Sequence, residues 1–78
     1  MFTKINYEGS IQAQYNTLAT QLDALLTGES DQIANLSNAS ALLNVFLSDI
    51  NWVGFYIVTE GELVLGPFQG LPACVRIP

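Results

Sequence analysis

Trp52-Val53-Gly54-Phe55-Tyr56-Ile57-Val58-Thr59, then Glu60-Gly61, then Glu62-Leu63-Val64-Leu65, is the stretch that decides the fold. Aromatic and β-branched residues dominate 52–59, the composition of a strand rather than a helix. Glu60-Gly61 supplies a two-residue turn in which glycine can take positive φ, so Glu62 onward returns as a hairpin partner. Period two sends Trp52, Gly54, Tyr56 and Val58 to one face and Val53, Phe55, Ile57 and Thr59 to the other. Both faces are largely apolar, which predicts a central strand covered on both sides. Strands are expected at about 52–59, 62–66 and 73–77. Between the last two, Gly66 to Pro72 holds two prolines and two glycines and reads as a structured loop rather than regular strand.

Upstream of the hairpin the period changes. Ile11, Tyr15, Leu18, Leu22, Leu25 and Leu26 recur at spacings of three and four, one face of an amphipathic helix over about 10–26. Gly28 is the expected stop, since glycine reaches the left-handed conformation that ends helices. Ser30 and Asp31 suit the N-cap of a second helix over about 31–48, their oxygens accepting from free backbone N–H groups. Its buried stripe is expected to be Ile33, Leu36, Leu43, Phe46 and Leu47, with Ala39 and Leu42 at the edges. The polar faces carry Asn, Gln, Ser and Thr, so intrinsic helicity is mediocre and both helices need packing to form. Two helices followed by a three-strand meander predict an α+β architecture, an antiparallel sheet with helices on one face. No repeat, low-complexity segment or linker interrupts it.

Composition narrows the function classes. Seventy-eight residues make one small domain at most, and the single cysteine excludes an internal disulfide. The absence of histidine removes the usual zinc clusters, and no metal site is expected. Half the residues are hydrophobic and only 12% are charged, against about a quarter charged in an ordinary soluble domain. That is more apolar surface than so small a core can hide. The expectation is a second chain completing the domain, or a homodimer covering the Trp52/Tyr56 face. Two cations, Lys4 and Arg76, stand against seven acids. With no basic patch to neutralise phosphates, nucleic acid is not an expected partner. The first six residues lack the apolar run of a signal peptide, and no stretch reaches the roughly 18 apolar residues of a membrane span. A cytoplasmic location, with the thiol reduced, is expected.

Three residues carry candidate chemistry. Trp52 and Tyr56 lie four apart on one strand face, roughly 13–14 Å along it at about 3.3 Å per residue. Gly54 between them would leave a hollow for a ligand. Such rings serve equally as ordinary core, or as a pocket wall with one hydrogen-bond donor each. An indole face also attracts an ammonium group. Cys74 reads either as a small buried hydrophobe or as a reactive thiol. Two residues before Arg76 in an expected strand, it would share a face with a guanidinium that favours the thiolate. One cysteine cannot complete a thiol–disulfide cycle within the chain.

Asn51–Tyr56, the Gly66–Cys74 segment and Arg76-Ile77-Pro78 together resemble the GAF-domain free methionine-(R)-sulfoxide reductases. GAF and PAS domains share the α+β architecture read above and bind small molecules on the sheet face opposite the helices. The resemblance implies that residues 1–78 are the N-terminal part of a single GAF domain whose remainder lies beyond Pro78. In that family an active-site cysteine attacks the sulfoxide sulfur, becomes a sulfenic acid and condenses with a second cysteine, and thioredoxin reduces the disulfide. By resemblance, Cys74 is the resolving cysteine, and Trp52 and Tyr56 contact the free methionine sulfoxide. Thioredoxin is the external reductant, and no bound cofactor is implied. The attacking cysteine and the acidic residues that hold the substrate's amino group would lie beyond Pro78, so these 78 residues alone would be inactive. The alternative is a non-catalytic GAF-type module for small-molecule binding or association.

Overall fold

The computed structural model describes residues 6–78; the reading that the first six residues lack a signal peptide's apolar run falls almost wholly on positions 1–5, outside the described residues. Helix α1 spans Ile11–Leu26 and helix α2 Gln32–Phe46; strands β1, β2 and β3 are Trp52–Thr59, Glu62–Gly70 and Arg76–Ile77. Each helix begins where a side chain satisfies a free backbone donor. The Ala13 N–H donates to Ser10 Oγ (3.1 Å), and the Ala34 N–H donates to Asp31 Oδ2 (2.8 Å). Ser10 and Asp31 are therefore caps rather than helical residues. After α1 the chain reverses through Gly28 at φ +85°. At the end of α2, Leu47 is already extended (φ −86°, ψ 120°), so the helix stops short of the expected 48.

Helix α2 is the helix that touches the sheet, and α1 packs on α2. That arrangement explains a correction to the expected stripe. The buried residues of α2 are Ala39, Ser40 and Leu42, whereas Ile33 is exposed. A helix covered on two sides buries its waist, and small residues there let neighbours approach closely. On α1, Leu18 and Gln21 are buried while Ile11 and Tyr15 are exposed. Gln21 enters an apolar face because its Oε1 accepts from the Tyr7 hydroxyl. Tyr7 packs edge-on against Phe46 with ring centroids 4.7 Å apart, and desolvation there raises its hydroxyl pKa above the ordinary 10.0.

The sheet is antiparallel in the order β1-β2-β3, an α+β assembly. Glu60 (φ +50°) and Gly61 (φ +82°) both take left-handed conformations and close the β1–β2 hairpin, with Thr59 opposite Glu62. Two positive-φ central residues define the turn whose twist matches that of the flanking strands.

Three expectations are corrected here. Among the described residues β1 is an edge strand, and β2 occupies the middle. Residues Trp52–Ile57 are only half-buried. Strand β2 runs to Gly70 rather than ending near 66, because Gly66-Pro67 forms a bulge instead of a loop. Tyr56 pairs with Leu65 and Gly54 with Phe68, so Gly66 and Pro67 together face the single residue Phe55. A bulge lets proline sit inside a strand, since the extra residue needs no ladder partner. Strand β3, finally, is only Arg76–Ile77, although the Leu65 N–H already reaches the Val75 carbonyl at 2.8 Å.

Candidate functional site

The bulge has a consequence for side-chain direction. Directly paired residues share a sheet face, so Leu65 lies with Tyr56, and Phe68 lies with Gly54. Gly54 and Tyr56 are on one face of an unbulged strand. Leu65 and Phe68, three residues apart, therefore also share that face, which strict alternation would forbid. The extra residue at Gly66-Pro67 turns the Phe68 ring toward Trp52 and Tyr56. Sequence reading missed Phe68 by placing it in a loop. The signal was there in Gly-Pro inside an apolar, β-rich run, a pattern that marks a bulge.

The rings form a row. Trp52 and Phe68 stack with centroids 5.4 Å apart and planes 14° apart; Trp52 and Tyr56 lie 6.2 Å apart at 25°. The side chains lean together, so the wide separation expected from strand rise does not hold at the ring level. Nor does Gly54 leave a hollow. A Cβ there would sit 2.3 Å from Phe68 Cβ and 2.8 Å from Phe68 Cα, so the space belongs to Phe68. Gly70, at φ +139°, makes room in the same way: a Cβ would lie 2.8 Å from Trp52 Cδ1. Trp52 and Tyr56 are thus brought together, with Phe68 as a third member, into one apolar wall. The indole Nε1–H of Trp52 is buried and has no acceptor among the described residues. A buried donor without a partner costs about 1–3 kcal/mol, a cost that an acceptor reaching this group would relieve.

Cys74 is free and exposed, not a buried hydrophobe. It sits outside β3, so the expected sharing of a strand face with Arg76 does not follow. Arg76 Nη1 instead pairs with Glu62 Oε1 at 2.7 Å across the β2–β3 ladder. What ties Cys74 to the aromatic wall is its backbone. The Tyr56 hydroxyl donates to the Cys74 carbonyl at 2.8 Å. The segment bearing the thiol is therefore held at the Tyr56 end of the ring row. Away from this wall, an apolar groove of about 160 Å³ lies between the helices, lined by Leu25, Asn38, Ala41, Leu42 and Val45. It contains none of the candidate residues.

No family model matches the chain. A free methionine-R-sulfoxide reductase of Escherichia coli is 55% identical over 64 residues, a match covering 82% of this chain and 39% of that protein. The solved free methionine-R-sulfoxide reductase of Neisseria meningitidis, in complex with its substrate, is 40% identical with a TM-score of 0.84; the match covers 96% of this chain and 46% of that one. The chain is a relative of the free methionine-R-sulfoxide reductases. A solved GAF domain, 40% identical, superposes with a TM-score of 0.71 over 80% of this chain and 39% of that one. The helices and antiparallel sheet have the GAF fold. The chain spans about half the length of the curated relatives it matches. Among the described residues, no helix is long and apolar enough to cross a membrane.

Proposed function

We propose that this chain is the N-terminal part of a single GAF domain that reduces free methionine-(R)-sulfoxide to methionine. Trp52 and Tyr56 form the apolar wall against the substrate, and Cys74 is the resolving thiol. The observation that carries this reading is the hydrogen bond from Tyr56 Oη to the Cys74 carbonyl, which keeps an exposed thiol next to the aromatic row. The names of the relatives support the same chemistry.

In this reading an attacking thiolate, carried by the rest of the domain, bonds to the sulfoxide sulfur. The sulfoxide oxygen takes up two protons and leaves as water. A water molecule then attacks the cysteine sulfur and breaks the new sulfur–sulfur bond, so that methionine leaves as the thioether, reduced by two electrons. The attacking cysteine is left as a sulfenic acid. The Cys74 thiol then displaces hydroxide from that sulfenic sulfur, releasing water and forming a disulfide. Thioredoxin supplies two thiols, reduces the disulfide and leaves oxidised itself. The ring row offers a methyl-sized apolar contact, and the buried Trp52 N–H offers a donor toward a polar substrate atom. These 78 residues hold one cysteine, so by themselves they support no such cycle. The rest of the domain completes the site, as a continuous chain or a second one. A reduced cytoplasmic setting fits the open thiol.

The test is made in the parent protein, the one in which this segment is completed. Cys74→Ser is expected to yield one methionine per protein without reductant and to lose thioredoxin-driven turnover. Undiminished turnover would make Cys74 structural. A second reading, a non-catalytic module for small-molecule binding or association, is favoured by the single thiol and the exposed apolar side chains. It predicts binding without any methionine formed.

A further inference from the structure

We infer that Phe68 is a positioning residue that fixes the Trp52 indole, and that Ser40 and the Gly66-Pro67 bulge place Phe68 for that task. The inference deepens, and for its substrate arm rests on, the function proposed above.

Four observations converge. The first is the bulge, which moves Phe68 onto the face of Trp52 and Tyr56; without it the ring would point to the other side of the sheet. The second is the room made for the two rings. Gly54 and Gly70 lack the Cβ atoms that would collide with Phe68 and with Trp52 Cδ1. Gly70 has a further reason in its φ of +139°, but glycine within a strand weakens it, so Gly54 needs a local reason. Admitting the Phe68–Trp52 stack supplies it. The third is the anchor. Ser40, fully buried on α2, shares its hydroxyl proton between the Leu36 carbonyl at 2.9 Å and the Pro67 carbonyl at 3.2 Å. The helix therefore holds the bulge itself, one residue from Phe68. The fourth is the Trp52 Nε1–H, which has no partner among the described residues. A lone buried donor selects among ligands only if its ring cannot turn away, and a near-parallel neighbour 5.4 Å distant restricts that turning.

Phe68 thus acts through Trp52 rather than by touching the substrate's reacting atoms. Its removal weakens the fit of substrate and leaves the chemical step alone. Stacked aromatic pairs are worth about 0.5–1.5 kcal/mol, so the expected rise in KM is about two- to tenfold with little change in kcat.

The experiment uses the parent protein carrying 5-fluorotryptophan, with the Trp52 fluorine resonance assigned by its loss in Trp52→Phe. Without ligand, Phe68→Leu is expected to shift and broaden that resonance, and Phe68→Tyr, which keeps the ring, to preserve it. With free methionine-(R)-sulfoxide, Phe68→Leu raises KM and Phe68→Tyr restores it. In a Trp52→Ala background the same Phe68→Leu change has no further effect on KM. An unmoved fluorine resonance in Phe68→Leu overturns the inference whether or not the protein is a reductase. Additive effects of Trp52→Ala and Phe68→Leu on KM overturn it as well, leaving Phe68 a purely structural residue. A wild-type protein that forms no methionine contradicts the proposed reductase function alone, and the ligand-free fluorine measurement still decides the role of Phe68.

Discussion

At the scale of single residues, the site depends on what is missing as much as on what is present. Gly54 and Gly70 carry no side chain where the rings of Phe68 and Trp52 need to pass. Tyr56 has two jobs, one for its ring in the row and one for its hydroxyl on the Cys74 carbonyl. Tyr56→Phe separates them. The ring row is kept while the tie to the Cys74 segment is lost, and because the bond is exposed the stability cost is only about 0.5–1.5 kcal/mol. The expected outcome is faster alkylation of Cys74 and slower thioredoxin-driven recycling, with the single-turnover yield of methionine unchanged. Unaltered alkylation would mean that the hydroxyl does not restrain the thiol segment.

At the scale of elements, the helix ends, the hairpin and the strand composition were legible because each is written in local chemistry. Ser10 and Asp31 cap, Gly28 reverses the chain, and Glu60-Gly61 turns it. The rest depended on neighbours. Leu42 and Ala39 are buried and Ile33 exposed because α2 touches both α1 and the sheet, which no periodicity of α2 alone reveals. Phe68 was hidden by Pro67, which reads as a strand breaker until a bulge absorbs it. Trp52, Tyr56 and Cys74 were picked out, but the hydrogen bond that unites Tyr56 with Cys74 spans 18 positions and has no sequence signature. The bulge is also where two elements meet, through Ser40. Ser40→Ala leaves the Pro67 carbonyl without its donor, at a cost of about 1–2 kcal/mol to the parent protein in urea unfolding. Amide exchange at Gly66 and Phe68 should quicken more than at the β1–β2 turn. Uniform exchange across the hairpin would show that Ser40 does not anchor the bulge.

At the scale of the molecule, the covered core is small for so apolar a chain. Among the described residues the buried hydrophobics are Leu18, Ala39 and Leu42, while Val58, Leu71 and Val75 are each more than 60% exposed. The radius of gyration is 14.1 Å. A compact domain of this length has one of about 11.5 Å. Strand β1 presents an apolar edge of the kind that pairs with another strand. The isolated chain is therefore expected to associate in sedimentation, and a monodisperse 8.5 kDa species with a cooperative melt would contradict that. The central claim is that the aromatic wall and Cys74 form one part of a larger reductase site. It is tested most directly by supplying the isolated 78-residue chain with free methionine-(R)-sulfoxide, thioredoxin, thioredoxin reductase and NADPH, beside the parent protein. The account predicts NADPH consumption by the parent and none by the isolated chain; turnover by the isolated chain above its Cys74→Ser control would contradict it.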